Sequence, residues 1–129
     1  MFKFNGYLRK DGSVGIRNHI LVIPMVVCAN SVVEAIELAH TTIGREYPDV
    51  VAIPHVYGCT FDPVSNDEIT KTFIGLGNNP NVSAVLLISL GCETINLKEV
   101  YEGIKATGKN VEKVIVQEIG GTIKAIEKA

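Results

Sequence analysis

The chain has 129 residues, 47% of them hydrophobic and 20% charged, which is enough apolar material for one compact domain and rules out a disordered chain. Its net charge of −2, from 12 basic and 14 acidic residues, leaves no electrostatic footprint for a nucleic-acid backbone. The longest apolar run, residues 20–29, contains Pro24 and falls far short of the roughly 20 residues that span a bilayer.

The N-terminal residues lack the apolar stretch of a signal peptide, and three cysteines, an odd number, argue against a disulfide framework. Both features predict a cytoplasmic protein with free thiols. Residues 1–18 read as a hairpin arm, because Asp11-Gly12 separates two short stretches and tolerates the positive φ of a tight turn. Residues 19–129 read as an α/β core, so that 1–129 forms a single domain.

Within the core, apolar runs at residues 19–27, 50–54, 83–90 and 111–117 are each followed by a segment with helical spacing. Ser31 with Glu34, Ser65 with Glu68, and Asn96 with Glu99 have the spacing of reciprocal helix caps. Gly44, Gly77 and Gly108 are placed to end the first three helices in a left-handed conformation. Val33, Ile36, Ala39 or His40, and Ile43 form one apolar stripe on the first helix.

Strands such as residues 84–88 are apolar without alternation, as expected where helices cover both faces of a parallel sheet. The predicted fold is α/β: a three-layer α/β/α sandwich around a mainly parallel four-stranded sheet, Rossmann-like or flavodoxin-like, with strand order 2-1-3-4 and a short N-terminal β-hairpin.

The unusual residues fall at the carboxyl ends of these strands. The four runs lead into Cys28-Ala29-Asn30, His55-Val56-Tyr57-Gly58-Cys59, Gly91-Cys92-Glu93, and Gln117-Glu118-Ile119-Gly120-Gly121-Thr122. In an open parallel sheet these ends share one rim, and ligands bind there. Thiolates, imidazole and carboxylate together suit a divalent transition ion. Cysteine is also a commonly buried residue, and Cys28 and Cys92 beside apolar strands are equally readable as core packing, with Cys59 the best candidate for a functional thiol.

His55 is the preferred base or ligand among the three histidines. The Gly120-Gly121-Thr122 turn should present backbone N–H groups to a carboxylate, and Arg9 and Arg17, which flank the hairpin, are candidate partners for the same group.

Six segments occur in register: Gly6-Tyr7-x-Arg9-x-Asp11-Gly12-x-Val14-Gly15-x-Arg17-Asn18, Pro24-xxx-Cys28-Ala29-Asn30, His55-xx-Gly58-Cys59, Asn79-Pro80-Asn81-Val82, Gly91-Cys92-Glu93 and Gln117-Glu118-x-Gly120-Gly121-Thr122. Together they resemble the second, middle domain of altronate and galactarate dehydratases, and are similar to sulfolactate sulfo-lyase large subunits. The resemblance runs from about Gly6 to the end. One local departure is Thr60-Phe61, where the family pattern leads one to expect a polar continuation.

The resemblance implies a hydro-lyase that dehydrates a sugar acid to a 2-keto-3-deoxy acid with a divalent metal, most readily Fe(II). It also implies a C-terminal dehydratase domain or separate subunit as partner, without which the chain is not expected to turn over, and allows a homo-oligomer. On that basis His55, Glu93, Gln117 and Glu118 are the candidate catalytic residues. Arg9, Arg17, Asn18, Asn30, Gly120, Gly121 and Thr122 are the candidate substrate contacts, and His55, Cys59, Cys92 and Cys28 the candidate metal ligands.

Three alternatives stand beside this reading. Cys28, Cys59 and Cys92 are also a possible ligand set for an iron–sulfur cluster. The chain is alternatively a non-catalytic binding or assembly module, or a subunit of a sulfolactate-type lyase.

Overall fold

The computed structural model describes residues 3–43 and 49–129. A two-stranded antiparallel hairpin, β1 (Tyr7–Leu8) and β2 (Val14–Gly15), is followed by β3 (His19–Pro24), a 3-10 turn (Val27–Ala29), α1 (Asn30–Ile43), β4 (Val50–Ala52), α2 (Pro63–Gly77) and β5 (Val82–Ser89). The chain then forms α3 (Leu97–Lys105), β6 (Asn110–Ile115), α4 (Val116–Ile119) and α5 (Thr122–Lys128). The four core strands are all parallel in the order β4-β3-β5-β6, the predicted 2-1-3-4 arrangement.

The sheet has a core on each face. Leu21 and Ile23 of β3 and Val85 and Leu87 of β5 meet Phe73 of α2 and Val100 and Ile104 of α3. Their neighbours Val22 and Ile88 point the other way, against Val32, Val33 and Ile36 of α1 and Ala125 of α5. Successive strand residues thus serve opposite cores, which explains the absence of polar alternation in the sequence. Ile104 is fully buried, and its truncation to alanine should cost roughly 2–5 kcal/mol.

Several local expectations change. Ser31 lies inside α1, because the 3-10 turn over Val27–Ala29 leads straight into the helix and leaves no cap position for it. Ser65 lies one turn inside α2. The cap there is Asp62, which accepts from the Val64 amide at 3.2 Å and the Ser65 hydroxyl at 2.5 Å, with Pro63 opening the helix. Asn96 caps α3 as expected, accepting from the Glu99 amide at 3.2 Å.

Gly108 has φ +78 after α3, whereas Gly77 does not take a left-handed conformation. Gly77 instead lets α2 approach α3: a Cβ there would lie 2.6 Å from Ile104 Cδ1, and one at Gly103 would lie 2.6 Å from Ile74 Cδ1. Gly44 is outside the described residues. In α1 the stripe holds through Val33 and Ile36, but Ile43 is 86% exposed because the helix has run beyond the sheet by its last turn.

No helix among the described residues is long and apolar enough to cross a membrane.

Candidate functional site at the carboxyl rim of the sheet

Three neighbouring strands each deliver a cysteine to the same rim: Cys59 beyond β4, Cys28 beyond β3 and Cys92 beyond β5. All three are free and exposed, which removes the alternative that Cys28 and Cys92 fill the core. The rim also exposes Val56, Tyr57, Phe61, Val64 and Ile123 on the same loops and first helical turns.

His55 does not project into solvent as an available base. Its Nδ1 accepts from the Tyr57 amide at 3.1 Å, so the ring proton sits on Nε2, which donates to the Pro24 carbonyl at 2.6 Å. The ring packs 5.0 Å from Phe73 and 5.9 Å from Tyr57, centroid to centroid. Asn30 completes this junction: its Nδ2 donates to the His55 carbonyl at 2.8 Å, and its Oδ1 accepts from the His55 amide at 3.3 Å. Both side chains therefore pin the end of β4 to the end of β3.

Gly58 allows the loop to lie there. It is buried with φ +92, and a Cβ would sit 2.5 Å from the Met25 carbonyl oxygen.

Glu93 is also engaged. One carboxylate oxygen accepts from the hydroxyl of Ser89, a residue only 1% exposed, and the other accepts from the Gly91 amide at 2.8 Å. The carboxylate thus folds back over the end of its own strand. Gly91, at φ +111, leaves room for Gln117, whose Oε1 lies 2.6 Å from where a Cβ would be. Gln117 and Glu118 are exposed on α4, and Glu118 makes no hydrogen bond or ion pair among the described residues.

The Gly120 and Gly121 amides both donate to the Val116 carbonyl, so these two N–H groups are not offered to a ligand. Thr122 opens α5 and is exposed.

Arg9, Arg17 and Asn18 lie at the opposite edge. They precede the first core strand, so they sit where the strands begin, about 25 Å from the cysteine rim by the length of the eight-residue β5. Arg9 clamps the hairpin there, donating from Nε to the Pro80 carbonyl at 2.7 Å, from Nη1 to Asn18 Oδ1 at 2.9 Å and from Nη2 to the Arg17 carbonyl at 2.9 Å. Asn81 Oδ1 accepts from the Ile16 and Arg17 amides at 2.9 and 3.1 Å. A Cβ on Gly15 would be 2.0 Å from the Pro80 carbonyl oxygen. The Asn79-Pro80-Asn81 segment is thus the seat of the hairpin, and the structure does not bring these substrate-contact candidates to the rim.

A metal is not preassembled. Among the described residues, no three of His, Cys, Asp and Glu are grouped to hold an ion, and both His55 ring nitrogens are already hydrogen-bonded. The donors present do not by themselves fit a divalent-ion site.

A pocket of about 390 Å³ flanks the rim between the end of β4 and α2, lined by Ile53, His55, Tyr57, Glu68, Ile69 and Phe73 among others.

Sequence reasoning passed over Thr94 and Asn66, which tie the β4 and β5 loops together. A threonine on a short polar loop carries no sequence signal for such a role.

Residues 6–129 match the family model described as D-galactarate dehydratase/altronate hydrolase, second domain. The chain is 38% identical over 117 residues to the (2R)-sulfolactate sulfo-lyase subunit beta of Chromohalobacter salexigens, covering 91% of this chain and 28% of that protein. It is 36% identical over 92 residues to the altronate dehydratase of Escherichia coli, covering 67% of this chain and 18% of the relative. With the altronate dehydratase of Bacillus subtilis it shares 27% identity over 105 residues, 79% of this chain and 21% of the relative. The chain thus spans between 18% and 28% of the length of these relatives. No solved structure matches it.

Proposed function

Since this chain belongs to the D-galactarate dehydratase/altronate hydrolase second-domain family, we propose that its cysteine-bearing rim is one wall of a lyase active site, completed by a C-terminal domain or separate subunit. The observation that carries this reading is the state of the rim: three exposed thiols on adjacent strand ends, held on loops whose other polar groups are spent bracing the backbone. Preorganised loops with unpartnered reactive side chains suit a site that receives its substrate from the opposite wall. The exposed Val56, Tyr57, Phe61 and Val64 on the same loops suit coverage by that wall.

The reaction we assign is loss of water from a hydroxylated sugar acid of the altronate or galactarate type. A base removes the proton next to the carboxylate, hydroxide leaves from the neighbouring carbon with a proton, and the enol product becomes a 2-keto-3-deoxy acid. In this chain Glu118 is the rim carboxylate free to take the proton, and Gln117 beside it is free to hold the substrate carboxylate or hydroxyl. His55, Asn30 and Glu93 hold the loops in place.

The thiols of Cys28, Cys59 and Cys92 are the soft donors this wall would contribute to a divalent ion, Fe(II) in our reading, with the remaining ligands supplied by the other wall. No step is assigned to an ion held by this chain alone.

In the assembled enzyme, Glu118→Gln should lower turnover by about 100-fold or more while leaving the unfolding midpoint in place. Unchanged turnover would remove Glu118 from the chemistry.

A second reading takes the three cysteines, carried on adjacent strands, as ligands of an iron–sulfur cluster; it would require the rim loops to draw together, because the thiols are not grouped to hold an ion in this structure. Anaerobic reconstitution decides it, since a cluster gives a visible absorption band and mononuclear Fe(II) does not. The similarity to a sulfolactate sulfo-lyase subunit makes sulfolactate the third substrate to assay.

A further inference from the structure

We infer that Thr94 is the positioning residue for Cys59, fixing that thiol relative to the loop that carries Cys92 and Glu93. Thr94 lies two residues beyond Cys92, between β5 and α3. Its backbone N–H donates to the Gly58 carbonyl at 2.9 Å. Its Oγ1 lies 3.1 Å from the Gly58 carbonyl oxygen and 3.1 Å from that of Thr60.

These two carbonyls belong to the residues on either side of Cys59, so one residue holds the backbone before the thiol through its amide and after it through the single proton of its hydroxyl. Asn66 of α2 backs the arrangement: its Oδ1 lies 3.4 Å from Thr94 Oγ1, and its Nδ2 donates to the Thr94 carbonyl at 3.5 Å.

The other constraints on this loop lie on its N-terminal side, where the Val27 amide donates to the Tyr57 carbonyl at 2.8 Å and Gly58 abuts the Met25 carbonyl. From Cys59 onward, Thr94 is the long-range anchor, beside the local bond from the Asp62 amide to the Thr60 carbonyl at 3.1 Å, until Asp62 caps α2. The Cys59 side chain makes no hydrogen bond among the described residues and is exposed, so its direction follows from the backbone that Thr94 holds. Val has the same shape but removes the donor that ties the Thr60 carbonyl to the Cys92 loop, leaving that carbonyl only the local Asp62 amide at 3.1 Å, whereas Ser keeps the tie.

The role of Thr94 in catalysis rests on the rim being the site wall proposed above. The clamp itself does not, and it is read without turnover. In the full chain, rates of iodoacetamide alkylation are measured separately at Cys28, Cys59 and Cys92 by peptide mass spectrometry for the wild type, Thr94→Val and Thr94→Ser.

Thr94→Val should change the Cys59 rate by up to about fivefold, the population change that loss of one ordinary hydrogen bond allows between thiol orientations, with Cys28 staying within about twofold. Thr94→Ser should return Cys59 to near the wild-type rate. In the wild-type chain the Thr94 amide should be protected from hydrogen exchange by its bond to Gly58, a check that needs no variant.

An unprotected Thr94 amide, an unchanged Cys59 rate in Thr94→Val, equal changes at Cys28 and Cys59, or failure of serine to restore the rate would each overturn the assignment. If the thiol pattern appears while the assembled enzyme shows no lyase activity, the functional proposal falls and the positioning role of Thr94 remains.

Discussion

Gly58→Ala is the substitution for which the structure gives the clearest magnitude. The residue has φ +92, a conformation that costs an L-amino acid roughly 1–2 kcal/mol. An added Cβ would also sit 2.5 Å from the Met25 carbonyl oxygen and 2.9 Å from Val26 Cα, both backbone atoms of the buried end of β3. Those atoms cannot turn away, and forcing them apart adds about 1–3 kcal/mol.

Gly108→Ala is the control. Its φ is +78, but its nearest neighbours are Lys10 side-chain carbons at 3.0 and 3.1 Å, which swing aside, so only the conformational cost applies. Gly58→Ala should therefore destabilise by about 2–5 kcal/mol and Gly108→Ala by about 1–2. At roughly 4 °C per kcal/mol for a domain of this size, the melting temperatures should fall by about 8–20 °C and 4–8 °C. Equal losses in calorimetry or urea unfolding would show that the β4 loop is not pressed against β3 as described.

Other expectations follow from the same geometry. Ser89→Ala removes the hydroxyl donor from a half-buried Glu93 oxygen and should cost about 1–3 kcal/mol in denaturant unfolding. Arg9→Ala removes three hydrogen bonds at the hairpin and should expose residues 3–18 to proteolysis while leaving Cys59 alkylation unchanged, since the two sites lie at opposite edges of the sheet.

The Asp62 carboxyl is held below its ordinary value of 3.8, first by the Ser65 hydroxyl and then by the Val64 and Ser65 amides. Its folded pKa is depressed, so its contribution to stability is complete above pH 3.8 and is lost as the pH falls through the folded value. The stability gap between wild type and Asp62→Ala should accordingly narrow below about pH 4 in thermal melts, and a constant gap would contradict the cap.

The sheet order was legible because apolar runs without alternation require cover on both faces, and right-handed crossovers then leave few arrangements. Exposure of Cys28 and Cys92 was not legible, since an apolar strand does not reveal where its last residue turns out of the sheet. His55, Asn30 and Glu93 have the residue types of catalytic and substrate-binding groups, yet each is engaged by neighbouring backbone groups within hydrogen-bond reach, a matter of tertiary distance that spacing does not encode.

The position of Arg9, Arg17 and Asn18 was available from chain direction alone. Residues that lead into the first parallel strand stand at the edge where strands begin, away from the carboxyl rim. The role of Thr94 was not legible, because its partners are 28 to 36 positions away in the chain.

The most direct test is an assay with altronate, galactarate and sulfolactate plus Fe(II), performed on the purified chain alone and again with the remainder of a family dehydratase added. Turnover should appear only in the mixture and be lost when Glu118→Gln chain replaces wild type. Turnover by the chain alone would contradict the proposal that its rim is half of a site.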